Sequence, residues 1–301
     1  MINEFKKLKL IDSIIFYLII LLPLTLVSGS FLSDLSVSII ALLFIYISIK
    51  EKLYFYYNNK YTKIFFSFFI ILIISSIFSK DVMISLKKVI FFFRFWIFSL
   101  AVWYLLSLYE NKLIKYLIFT FTSTFLFLIF DGYIQFFFSE NIFGWPVQGS
   151  RVSSLFKDEL ILGSYLSRLL PVYFALLVYS NFSKTFNKYF LFFIIFVGIE
   201  TLTFLSGERV AFFYINASSL MLIILMKNYK IFRFSSIITS ILIIIVLINY
   251  FPKSTDRIIK QTINQLGLSS ETKKQTLPNN KDDQTNILLN KIKINAFSIE
   301  H

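Results

Sequence analysis

Nine long blocks of apolar residues, separated by short polar segments, constrain this 301-residue chain more than any other feature. Each block approaches the roughly 20 residues that an α-helix needs to cross a bilayer. Within lipid a helix satisfies its own backbone hydrogen bonds, and the blocks lack the alternating pattern of membrane strands. We therefore predict an all-α polytopic membrane protein, with spans at 11–28, 32–49, 63–79, 89–108, 114–130, 160–180, 189–205, 209–226 and 234–251.

The composition excludes a soluble protein. Hydrophobic residues make up 57% of the chain and charged residues 16%, whereas soluble domains have about 45–50% and about 25%. The net charge of +13 would indicate nucleic acid in a soluble protein. Here most basic residues lie between apolar blocks, so we expect membrane lipids as partners and no nucleic acid. With no Cys and one His, we expect neither a metal nor another cofactor.

The distribution of Lys and Arg predicts the orientation, because cytoplasmic loops carry an excess of both. A cytoplasmic N-terminus puts fourteen of them inside and six outside before the tail. The predicted transmembrane domain is 1–251, and residues 252–301 form a periplasmic tail. The tail becomes apolar again near its end, so we expect this chain to be a fragment that stops early in a large periplasmic loop. A cleaved signal peptide at the first span is an alternative, although no A-x-A site follows it.

Charged residues within or beside the spans are candidate functional groups, because placing them there costs free energy. Lys87, Lys88 and Arg94 are predicted to form a basic cluster at the outer end of the fourth span. The alternative is that they extend to lipid phosphates. Arg168 and Glu200 each lie roughly 10 Å below the outer surface, from 1.5 Å per residue. We predict that they form a structural ion pair within the membrane.

Two outer connections place Arg residues beside helix starts. The loop 131–159 ends in a small-residue turn, Arg151 and two acidic residues that are expected to cap the start of the next span. This arrangement indicates anion binding. The tight turn 206–209 puts Arg209 at a helix N-terminus, where positive charge opposes the helix dipole. This placement indicates a partner, which is either a bound anion or Glu208.

Three stretches carry more specific patterns. Residues 151–166 (RVSSLFKDELILGSYL) are similar to R-x-S-G-L-F-x-D-P-N-x-L-G-x-x-L, and 205–211 (LSGERVA) are similar to T-G-S-R-x-A. The third is the basic stretch from 85 to 94. In order and spacing the chain resembles the O-antigen ligase and polymerase family of bacterial envelope proteins. It departs from the family patterns in having Ser154 for Gly, Glu159-Leu160 for Pro-Asn and Glu208 for a small residue.

The resemblance implies a metal-independent glycosyl transferase in the bacterial inner membrane, with its active face in the periplasm. The donor would be a polyprenyl-pyrophosphate-linked glycan. A ligase would pass the glycan to a lipid A–core acceptor, and a polymerase to another lipid-linked glycan. An alternative is a transporter or flippase for an anionic lipid-linked substrate, and another is a non-catalytic relative.

The resemblance also implies roles for individual residues. Arg151 and Arg209 would bind the pyrophosphate, with Lys87, Lys88 and Arg94 as helpers. Arg209 would also act in catalysis by stabilising the leaving group. His301 would accept the proton of the acceptor hydroxyl, or, as the last residue of this chain, have no role.

Overall fold

A computed structural model describes residues 2–180 and 186–251, which form eight α-helices and no strand. The chain divides into two compact units, residues 1–246 and residues 247–301. The predicted tail 252–301, with His301, lies outside the described residues. The helices are α1 (Ile2–Ser28), α2 (Ser30–Lys50), α3 (Lys60–Ile77), α4 (Val82–Phe138), α5 (Leu162–Tyr179), α6 (Phe186–Leu205), α7 (Arg209–Leu225) and α8 (Lys230–Tyr250).

Six of these helices are long and apolar enough to cross a membrane: α1, α2, α3, α4, α5 and α8. Two shorter apolar segments, Tyr189–Leu205 in α6 and Arg209–Leu225 in α7, accompany them. The prediction of an all-α membrane protein is therefore confirmed at this level. The number of nine crossings and their orientation stay predictions.

Helix α4 differs from the prediction of two spans joined by a short loop. It runs from Val82 to Phe138, with one non-helical residue, Tyr109 (φ −133°, ψ 30°). Neither Gly nor Pro occurs between Tyr109 and Asp131, so helical hydrogen bonding resumes directly after the kink. Val102 and Leu117, on the two sides of this kink, line the same groove. The helix also continues eight residues past the predicted end at residue 130, into the predicted loop.

The apolar core joins α1, α2 and α4. Its fully buried side chains include Ile15, Ile40, Phe44, Leu105 and Leu113. Many large apolar side chains outside it are exposed, as expected for helices whose outer faces meet lipid. The Tyr165 hydroxyl donates to the Pro23 carbonyl oxygen at 2.6 Å. This bond fixes the first turn of α5, and with it the preceding loop, against α1.

Candidate functional site

Gln135, near the end of α4, holds the returning part of the loop between α4 and α5. Its side-chain oxygen accepts hydrogen bonds from the backbone N–H of Ser153 at 2.9 Å and of Ser154 at 2.7 Å. Its amide nitrogen donates to the Trp145 carbonyl at 3.2 Å. Gln135 is fully buried. Because buried backbone groups need partners, this side chain determines where the loop passes.

Asp131, one helical turn earlier on the same face, has a matching role. Its carboxylate accepts from the Ser154 hydroxyl at 2.6 Å, the Ile142 N–H at 3.0 Å and the Asn141 amide at 3.3 Å. The Asn141 side-chain oxygen in turn accepts from the Trp145 N–H at 2.8 Å. We did not predict these residues from the sequence. The available signal was two polar side chains four residues apart, directly after an apolar block.

Replacing Gln135 with Leu is expected to destabilise the protein. The N–H groups of Ser153 and Ser154 would stay buried without an acceptor, at a cost of about 1–3 kcal/mol each. Thermal denaturation in detergent would show the loss, and protease cleavage within the loop would become faster. The control is Gln148→Leu in the same loop, because the bond from Gln148 to Asp158 is exposed and its loss should cost under about 0.5 kcal/mol. Equal melting temperatures for both variants would contradict the role of Gln135.

Arg151 links the loop to the turn between α6 and α7. Its Nε donates to the Ser206 carbonyl at 2.9 Å, and its Nη2 donates to the Leu160 carbonyl at 3.0 Å. A Cβ on Gly207, which has φ +70°, would lie 2.9 Å from the Arg151 Cγ, so a side chain there would displace the Arg. A guanidinium at the carbonyl end of α6 is also favoured by the helix dipole. The structure thus brings Arg151 to the turn that immediately precedes Arg209.

Glu208, in the same turn, caps the start of α5. Its carboxylate accepts from the Gly163 N–H at 2.8 Å and from the Ser164 hydroxyl at 2.5 Å. The same carboxylate lies 4.0 Å from the Arg151 Nη2. A Cβ on Gly163 would be 2.4 Å from the Ser206 Oγ, so the close approach of α5 to this turn requires glycine.

This arrangement corrects the expectation that the acidic residues before α5 cap it. The residue before the first turn of α5 is Ile161, which makes no side-chain cap. Asp158 instead accepts from the Gln148 amide at 2.8 Å. Glu208 takes the capping role from a distant part of the chain, because the α6–α7 turn and the start of α5 are adjacent in space.

Replacing Glu208 with Ala is expected to lower the free energy of unfolding by about 1–2 kcal/mol, the usual cost of losing a helix cap. The Gly163 N–H and Ser164 hydroxyl would both lose their acceptor. Glu208→Gln keeps one accepting oxygen and should retain most of the stability. Thermal denaturation of the purified protein measures both variants, and an unchanged melting temperature for the Ala variant would argue against the cap.

Lys87, Lys88 and Arg94 line one cavity of about 450 Å³, together with Asp34 of α2. Arg94 forms an ion pair with Asp34, at 2.8 Å from Nη2 to Oδ2, and donates from Nη1 to the Ser38 hydroxyl at 3.2 Å. The three predicted cations therefore do lie together, with an acidic partner that we did not predict. No described contact joins this cluster to Arg151.

The predicted ion pair between Arg168 and Glu200 is corrected. Glu200 pairs with Arg233 of α8, at 2.5 Å from Oε1 to Nη2, while the Arg168 side chain is exposed on α5. Equal depth along two helices sets the height of two side chains but not the direction in which each points. Arg233, one of the fourteen basic residues that the predicted orientation places in the cytoplasm, is only 1% exposed.

The Glu200–Arg233 pair lies in a polar cluster within the helices. Arg233 donates to the hydroxyls of Ser236, at 3.1 Å, and Ser219, and the Ser240 hydroxyl donates to Glu200. These contacts join α6, α7 and α8. Buried charges need such paired surroundings because unpaired ones carry a large desolvation cost. This cluster was not predicted from the sequence.

In comparisons with known proteins, no protein family, characterised protein or solved structure matches this chain. Within residues 2–180 and 186–251, no group of three or more His, Asp or Glu side chains is placed to hold a metal ion.

Proposed function

We propose that this protein transfers a glycan from a polyprenyl-pyrophosphate donor to a sugar hydroxyl at the periplasmic face of the bacterial inner membrane. The observation that carries the proposal is the contact of Arg151 with the turn that precedes Arg209. Arg151 is thereby held beside the turn from which Arg209 begins α7. Arg presents planar, permanently charged donors that match phosphate oxygens.

The contacts give the two Arg residues different parts in this proposal. Arg151 donates to the Ser206 and Leu160 carbonyls, so it positions the turn. Arg209 is the first residue of α7, and Glu208, which precedes it, makes no side-chain cap on that helix. The first N–H groups of α7 and the Arg209 guanidinium therefore form the anion site.

The chemistry follows from where negative charge develops. The acceptor hydroxyl attacks the anomeric carbon of the donor sugar, and the bond from that carbon to the pyrophosphate oxygen breaks. The pyrophosphate leaves with additional negative charge, which Arg209 stabilises more strongly in the transition state than in the ground state. His301 is the proposed acceptor of the hydroxyl proton.

Surface polysaccharide from a strain lacking this protein tests the function. Loss of long chains on lipid A–core, with accumulation of lipid-linked polymer, would identify a ligase, which is the function that we propose. Single-repeat caps on lipid A–core would identify a polymerase instead. A polysaccharide profile identical to that of the parent strain would contradict both.

A further inference from the structure

An apolar groove lies between α1, α2, α4 and α5. Its volume is about 470 Å³. Each surrounding helix contributes apolar side chains, for example Leu22, Val37, Phe98 and Val172. We call it the lateral groove. Side chains of this kind accommodate a hydrocarbon chain without unsatisfied polar groups.

The lateral groove adjoins a cavity lined by Lys87, Lys88, Arg94 and Asp34, which we call the basic pocket. Asp34 lines both spaces. The residue after Arg94, Phe95, lines the lateral groove. An apolar groove and a cationic pocket therefore share a boundary residue, which suits an amphiphile with an anionic headgroup.

The basic pocket has more positive than negative charge in its lining. Asp34 balances one of the three cations, and the Lys87 and Lys88 side chains are exposed. The Nε of Arg94 is buried without a hydrogen-bond acceptor among the described residues. A phosphate oxygen from a bound headgroup would supply both an acceptor and a counter-charge.

The length of the lateral groove indicates which amphiphile fits. Along the part of α4 before the kink at Tyr109, its lining runs from Phe95 to Leu106, a rise of roughly 16 Å at 1.5 Å per residue. Leu117 and Phe121, beyond the kink, line the same groove. One leaflet of a bilayer has a hydrocarbon thickness of about 15 Å, half of the whole core. The groove therefore accommodates one acyl chain of a single-leaflet lipid, whereas a long polyprenyl chain would extend far beyond it.

We propose that the lateral groove and the basic pocket together hold one anionic glycerophospholipid. Its acyl chain lies in the groove, and its phosphate contacts Lys87, Lys88 and Arg94. This binding site is separate from the anion site at Arg209 and does not depend on glycan transfer.

Native mass spectrometry of the detergent-solubilised protein tests the proposal, with phosphatidylglycerol and phosphatidylcholine added in equal amounts. We expect one bound phosphatidylglycerol, retained in clear preference to phosphatidylcholine. Lys87→Gln with Lys88→Gln should lower the bound fraction at least about fivefold, since each basic residue contributes appreciably to anionic lipid binding. The matched control is Lys60→Gln with Lys63→Gln, because these exposed lysines lie on α3 outside the basic pocket.

Three results would overturn the proposal. The first is equal retention of the two lipids, and the second is an equal loss of phosphatidylglycerol in the two double variants. The third is displacement of phosphatidylglycerol by equimolar polyprenyl phosphate, which would assign the groove to the donor lipid. Val172→Trp provides an independent check, because an indole in the groove should exclude the acyl chain. If that variant has a wild-type melting temperature and still retains the lipid, the groove is not the site.

Discussion

Replacing Arg209 with Ala is expected to lower the proposed glycan transfer by about 10²–10³-fold, the usual effect of removing one group that stabilises charge in a transition state. The side chain is partly exposed at the start of α7, so its loss leaves no buried cavity. Membrane insertion and yield should therefore stay normal. Transfer is measured as the amount of capped lipopolysaccharide in a complemented deletion strain.

Arg209→Lys is the informative companion variant. A point charge does not reproduce the two-pronged geometry of a guanidinium, so we expect only weak recovery of transfer. Arg168→Lys serves as a matched control for the chemical change, since Arg168 is exposed on α5 and no described contact joins it to the α6–α7 turn. A wild-type amount of capped lipopolysaccharide in the Arg209→Ala strain would contradict a role for Arg209 in the transfer.

Replacing Glu200 with Leu should have the largest effect on stability, about 3–5 kcal/mol, because it leaves the Arg233 charge buried and without its carboxylate. The remaining contacts of Arg233 with Ser219 and Ser236 supply no counter-charge. Unfolding in mixed micelles with increasing denaturing detergent measures the change.

A double variant separates loss of the pair from loss of one partner. Glu200→Leu combined with Arg233→Met removes both charges and should recover most of the stability, as apolar replacements of buried ion pairs commonly do. Arg168→Met should change stability by less than about 0.5 kcal/mol, as expected at an exposed site. If Arg168→Met were as destabilising as Glu200→Leu, the pairing seen here would be wrong.

The length of the apolar blocks was sufficient to predict the helices, because a chain in lipid has few other ways to satisfy its backbone hydrogen bonds. It was insufficient at α4. A short polar segment between two apolar blocks fits either a loop or a kinked helix, and only the backbone at Tyr109 distinguishes the two. The extension of α4 beyond residue 130 was missed because Asp131 and Gln135 look like loop residues. They are polar because they bind the loop, not because they belong to it.

Which residues lie near one another could be predicted where chain order set the geometry, but not where it depended on the direction in which a side chain leaves its helix. Arg151 and the turn before Arg209 were expected at the same end of the helices, and the structure brings them into contact. Glu200 was matched with the wrong Arg, because depth can be counted along a helix while the facing neighbour depends on packing. The cap by Glu208 joins residues 45 positions apart, a separation that no local pattern reveals.

The contact between Arg151 and the Ser206 carbonyl spans 55 positions in the chain, which affects biosynthesis. At roughly 5–20 residues per second, the ribosome makes Ser206 about 3–11 s after Arg151. Until then the acceptor for the Arg151 Nε does not exist, and Glu208 is absent from the start of α5. The contact of the loop after α4 with the α6–α7 turn must therefore wait until α6 has been synthesised. A nascent chain stalled before residue 206 should accordingly be cleaved more readily by an added protease within that loop.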